Sequence, residues 1–135
     1  MPKIRSDISH KNPFYLPKHR FLEIYHYCLQ YRDWLNEYKS LTGVRAIRYS
    51  NMPKAKDISD QTARIAERRA ILKKKMEEIE AAAVEADPAI AKWILEAVTK
   101  ENKSYEELRG IPCGRRYFYE RRRKFYYILS QKING

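Results

Sequence analysis

The chain has 135 residues, 28 Lys and Arg against 17 Asp and Glu, a net charge of +11, and a hydrophobic fraction of 44%. That is one domain, or a small domain with appendages, and no apolar stretch approaches the roughly 20 residues that a membrane-spanning helix needs. The polar start Met1-Pro2-Lys3-Ile4-Arg5-Ser6-Asp7 lacks an apolar signal core, so a cytoplasmic location is expected, with no membrane partner.

Pro13 and Pro17 punctuate an extended N-terminal arm expected over 1–17. From Lys18 to Leu41 the sequence predicts one helix. Ile24, Cys28, Tyr31, Leu35 and Tyr38 alternate four and three apart, Phe21, Tyr25 and Leu29 widen that stripe, and Gly43 is expected to end it. A basic connector follows over 43–56, carrying Arg45, Arg48, Lys54 and Lys56.

A second long helix is predicted from about Ser59 to Ala86. Its seam, Ile58, Thr62, Ile65, Arg69, Leu72, Met76, Ile79, Ala83 and Ala86, is heptad-like. Two pairings fit it: a coiled-coil dimer with Arg69 as a polar register residue, or an antiparallel hairpin with the first helix of the same chain. Residues 18–86 are thus expected to form long antiparallel helices. Asp87-Pro88 predicts a helix restart, with an N-cap and proline at the first helical position.

The helix at about 88–100 carries Ile90, Trp93, Ile94, Leu95, Ala97 and Val98. Ser104-Tyr105-Glu106-Glu107 has the capping-box pattern and predicts a short helix at 104–109, ended by Gly110. Ile111-Pro112 makes a turn, and a last helix is expected over 114–132. No strand pattern is present. The expected fold is all-α: a long helical hairpin or coiled-coil-like N-terminal part, then a helix-turn-helix over 87–135.

Charge is concentrated at the two ends. Residues 1–56 hold 11 cations against 4 acids, 57–112 hold 10 against 12, and 113–135 hold 7 against 1. The last cluster interleaves Arg115, Arg116, Arg121, Arg122, Arg123 and Lys124 with Tyr and Phe, a composition suited to a phosphate backbone. On a helical wheel at about 100° per residue, Phe118, Phe125 and Leu129 fall together, flanked by Ile128 and the stem of Arg122. Arg116, Glu120, Arg123 and Tyr127 lie opposite, with Tyr119 and Lys124 beside them.

The second helix of a helix-turn-helix enters the major groove of duplex DNA. Arg116, Tyr119, Glu120 and Arg123 are therefore expected at base edges, where arginine can bond guanine and glutamate can accept from cytosine N4. Arg115, Tyr117, Arg121 and Lys124 are expected at phosphates. Glu120 has an alternative reading, a local ion pair with Arg123 or Lys124. Cys28 and Cys113 fit no metal or redox spacing and are expected as unpaired thiols, and His10, His19 and His26 lack a metal-ligand pattern. With no glycine-rich phosphate loop and no nucleophile beside a base, the chain is expected to be non-enzymatic, without metal or cofactor.

The tyrosine-rich first helix, the segment Ala63-Arg64-Ile65-Ala66-Glu67-Arg68-Arg69 and the stretch from Ser104-Tyr105-Glu106-Glu107-Leu108 to Phe125-Tyr126-Tyr127-Ile128-Leu129 resemble the RinA/ArpU-type late-gene transcriptional regulators of phages and prophages. The last stretch is also similar to the promoter-reading region 4 of sigma factors. Gly114 stands where such motifs more often carry Ser or Thr. The resemblance implies DNA binding near a late promoter and activation of packaging or structural genes, with RNA polymerase or a sigma factor as a further candidate partner and a homodimer as the candidate assembly. A non-enzymatic interaction or assembly module, using the coiled-coil seam in phage packaging or as an adaptor, is the alternative.

Overall fold

A computed structural model describes residues 11–44, 55–101 and 103–133, and among them the fold is all-α. Its helices are α1 (Lys18–Leu29), α2 (Tyr31–Val44), α3 (Ala55–Ala86), α4 (Ala91–Val98) and α5 (Arg115–Lys132), with a 3-10 turn at Tyr105–Glu107 between the last two. The chain divides into two compact units, Met1–Tyr31 with Glu78–Gly135, and Arg32–Glu77. Within the first unit α1 packs on α4 and α5. Residues 1–10 of the arm, and most of the connector expected at 43–56 with Arg45, Arg48 and Lys54, lie outside the described residues.

The first unit is organised by apolar faces that close on one another. Phe21, Ile24 and Cys28 of α1, Ile79, Ala83 and Ala86 of α3, Ile90, Ile94 and Val98 at α4, and Phe118, Phe125, Tyr126 and Leu129 of α5 are all buried, and α1, α4 and α5 pack on one another. Tyr126 sets its ring edge-on to Phe21 at 5.1 Å. Phe118, Phe125 and Leu129 have no exposed surface, and burying each contributes about 1.5–3 kcal/mol, enough to seat α5 firmly. Leu16 of the arm is also buried. Residues 12–15, in the arm expected to be extended, form a turn, with the Asn12 side chain accepting from Phe14 N–H at 2.8 Å and Asn12 O accepting from Tyr15 N–H at 3.1 Å.

The predicted single helix over 18–41 is two helices. At Gln30 the backbone N–H bonds Tyr27 O at 3.2 Å, three residues back instead of four. The Gln30 side chain reaches the His26 carbonyl that this leaves, at 3.5 Å, so the ladder changes pitch while its polar groups stay satisfied. Gly43 does not end the helix, which runs to Val44.

In the second unit α2 and α3 pair antiparallel within one chain. Arg68 binds Glu37 through two bonds, at 2.6 and 3.0 Å. Arg69 covers the Tyr38 ring at 4.9 Å, and the Lys75 ammonium sits over the Trp34 ring at 5.2 Å. Residues 37 and 38 of α2 thus face 68 and 69 of α3, while residue 34, a turn earlier on α2, faces residue 75, about two turns later on α3. Arg69, expected as a register residue, is half-buried and bonds the Tyr38 hydroxyl at 3.3 Å. Of the predicted seam, Leu72 and Met76 are buried here, Ile65 is half-buried and Thr62 exposed.

Candidate nucleic-acid interface

Between α4 and α5 the chain departs from the expected pattern. Asp87 does not cap α4 directly. Its Oδ1 accepts from Ala89 N–H at 2.9 Å and closes a turn over 88–90, and α4 begins only at Ala91. The predicted helix at 104–109 is a three-residue 3-10 turn. Its capping-box side chains bond each other, Ser104 Oγ to Glu107 Oε1 at 3.1 Å, and Ser104 makes no side-chain bond to the backbone. Leu108 is extended at φ −89° and ψ 103°, and Gly110 takes the left-handed φ of 74°, so a helix cannot propagate past Glu107. The arrangement before α5 is therefore helix, 3-10 turn, helix, and the tight two-helix turn read from the sequence is absent here.

The loop that delivers α5 is pinned from several sides. The Trp93 indole N–H bonds Arg109 O at 2.9 Å, and the Tyr105 hydroxyl donates to Cys113 O at 2.5 Å. Leu108 is buried between these points. Gly114 then serves as the N-cap of α5, with no side-chain cap and no acid in the first turn. Arg115 and Arg116 occupy that turn, both exposed.

The eight expected contact residues separate into two sets. Arg116, Glu120 and Arg123 are exposed and make no ion pair or hydrogen bond with any described residue. They are four and three apart and form one stripe of a helix. Glu120 is not paired with Arg123 or Lys124, so the local ion-pair reading does not describe it. Arg115 meets only Glu106, at 3.5 Å and with both side chains more than half exposed, besides flanking the Tyr119 ring at 5.7 Å. Lys124 is half-buried and unpaired with any described residue.

Three others have partners within the chain, although Tyr117 itself is exposed. Tyr117, expected at a phosphate, donates its hydroxyl to Asp87 Oδ2. Arg121, also expected at a phosphate, covers the Tyr117 ring at 4.7 Å and reaches the same Asp87 oxygen at 3.5 Å. Tyr119, expected at a base, is half-buried. Its hydroxyl accepts from Tyr105 N–H at 3.1 Å, and Arg122 covers its ring at 4.6 Å. Tyr127, placed by the wheel on the open face, packs on Phe14 with ring centres 5.9 Å apart. The wheel is right about Phe118, Phe125 and Leu129 and silent on Tyr126, which is 3% exposed.

Asp87 joins the turn before α4 to the N-terminal half of α5. The Asp-Pro signal points to a local capping role and carries no sign of the contact with α5. The Tyr117 hydroxyl, helped by the Ala89 N–H and the nearby Arg121, holds the Asp87 carboxyl below the usual carboxylate range, against the opposing effect of burial. The two cysteines are free thiols. Burial pushes Cys28 well above the ordinary thiol range, while the half-exposed Cys113 is raised by partial burial and by the charge of Asp87. No group of His, Cys, Asp and Glu among the described residues is placed to hold a metal ion. No helix of the described residues is long and apolar enough to cross a membrane.

Compared with protein-family models, with curated proteins and with solved structures, the chain matches none.

Proposed function

We propose that this chain is a non-enzymatic, sequence-specific DNA-binding regulator that reads the major groove with the N-terminal half of α5. The observation that carries the reading is the division of α5. One face is consumed by Phe118, Phe125, Tyr126 and Leu129, while Arg116, Glu120 and Arg123 stay exposed without partners on the other. A folded helix that keeps two arginines and a glutamate unpaired in one stripe has donors and an acceptor free for base edges. Arg115 and Lys124 flank that stripe and supply cations for phosphates. An arginine-free, apolar outer face would instead have suited a protein groove.

The resemblance carried by residues 104–129 extends the proposal to activation of phage or prophage late genes, with RNA polymerase or a sigma factor as the second partner. Selection of bound duplexes from a random pool by the full chain tests it. A defined sequence should emerge, and its affinity should fall steeply with salt as phosphate counterions are released. A pool that shows no preferred sequence, or binding that persists unchanged at about 0.5 M salt, would overturn the reading. A palindromic product would add that the chain binds as a two-fold dimer.

A further inference from the structure

The geometry points to Asp87 as the positioning residue of α5, holding the Arg116–Glu120–Arg123 stripe at a fixed rotation through Tyr117 and Arg121. This inference rests on reading α5 as a DNA-contacting helix. The two halves of α5 are held differently. The C-terminal half buries Phe125, Tyr126, Leu129 and Ser130. Its end is tied further by Arg20, whose guanidinium donates to Ser130 O at 2.7 Å, and by Lys132 on Glu85 at 2.5 Å. The N-terminal half buries Phe118 alone.

The N-terminal half is kept from rolling about its axis by the buried Phe118, by the Tyr119 hydroxyl that accepts from Tyr105 N–H at 3.1 Å, and by a polar contact on its other side. Tyr117 and Arg121 are one turn apart on one face, and both converge on Asp87 Oδ2. Each is the immediate neighbour of a stripe residue, Tyr117 of Arg116 and Arg121 of Glu120, so fixing the pair fixes the azimuth of the stripe to a fraction of the 100° between successive residues. Asp87 is 8% exposed and its other oxygen accepts from Ala89 N–H, so the anchor is held through both of its oxygens. Direct readout tolerates little angular error, because bidentate bonds to a base edge need both donors in place, whereas phosphate contacts by long cationic side chains adapt.

Two variants separate positioning from mere folding. Tyr117→Phe removes only the hydroxyl that reaches Asp87. Asp87→Asn removes the charge and keeps an acceptor for Ala89 N–H. Both are measured, with their combination, on two probes: a duplex recovered by selection with the unaltered chain, and a scrambled duplex of the same composition. Circular dichroism at the assay temperature establishes that each variant is folded.

The ratio of selected to scrambled affinity should fall about tenfold in Asp87→Asn and about threefold in Tyr117→Phe, while scrambled binding stays within about twofold. The double variant should be no worse than Asp87→Asn, because both changes break one connection. Folded variants with an unaltered ratio, or with both affinities falling in parallel, would overturn the positioning role and leave the DNA reading standing. If the unaltered chain itself prefers no duplex, both fall.

Discussion

Arg116 and Arg121 lie on one helix, carry the same charge and differ in almost everything else, which makes alanine at each position a sharp test. Arg121 sits 3.5 Å from a carboxylate that is nearly buried and 4.7 Å over the ring of Tyr117. Removing it does not strand Asp87, which keeps its bonds from Tyr117 and Ala89, so the 3–5 kcal/mol typical of breaking a buried ion pair is too much. The lost stacking is worth about 0.5–1 kcal/mol and the weakened ion pair a similar amount, giving a cost of about 1–2 kcal/mol.

Arg116 has no partner to lose. It stands in the first turn of α5, where a cation opposes the helix dipole, so its removal should be neutral or should stabilise by a few tenths of a kcal/mol. In thermal unfolding the two variants should therefore differ by several degrees, at roughly 3–6 °C per kcal/mol for a chain of this size.

Duplex binding should rank them the other way for the base that Arg116 reads. Arg116→Ala should lose about 1–3 kcal/mol of discrimination at a single base pair and little elsewhere. If Arg116→Ala weakens binding to every duplex alike and lowers the salt slope by about one, it is a phosphate contact and the stripe is wrongly placed. If both variants melt together, the division of α5 into committed and free arginines is itself wrong.

Three further outcomes follow from the same geometry. Gly110→Ala should destabilise by about 1 kcal/mol in urea unfolding, purely through its left-handed backbone, since an added Cβ would meet nothing within 4 Å; Asn there should cost less. Asp87 has a lowered pKa in the folded chain, so its contribution to stability is complete above the unfolded value of about 3.9 and is lost as pH falls through the lower folded value. The stability gap between the natural chain and Asp87→Asn should accordingly be full at neutral pH and shrink below about pH 4, and a gap independent of pH would contradict the assignment. With a thiol-specific reagent the folded chain should react at Cys113 and not at Cys28, which is fully buried and whose thiolate is strongly disfavoured. Equal labelling of the two would show that the core around α1 opens readily.

The sequence pattern revealed the faces of the helices and concealed which polar groups meet across them. Stripes at three- and four-residue spacing announced an all-α chain, and Phe118, Phe125 and Leu129 declared the inner face of α5, because apolar burial depends mainly on position around one helix. The break at Gln30 was invisible for the opposite reason. A single lost i−4 bond, repaired by the residue's own side chain, leaves no proline or glycine and does not disturb the stripe on either side. The capping box misled because Ser104 and Glu107 found each other instead of the backbone. Tyr117 and Arg121 looked available for phosphates because their partner, Asp87, is remote in sequence. A wheel can say that a side chain leaves the core, and only the fold can say that a carboxylate is waiting there.

The start of α5 bears on function for a reason separate from the stripe. Stability alone would favour Ser or Thr at the N-cap and an acid in the first turn. The chain has Gly114, Arg115 and Arg116 instead. Each cation near that terminus costs about 0.3–1 kcal/mol against the dipole. Arg115 recovers little from Glu106, because a pair at 3.5 Å with both partners exposed is worth less than about 1 kcal/mol. Arg116 recovers nothing from any described residue. The N–H groups of the first turn and the Arg115 guanidinium lie together without a strong anionic partner in the unbound chain, and on the proposed reading a DNA phosphate would supply it, leaving Arg116 for a base edge. Local rules of helix stability are broken most often where a binding partner restores them. In α5 they are broken beside the three unpartnered residues proposed to read the bases, so the backbone-holding and base-reading parts of the proposal meet within the first turns of the same helix.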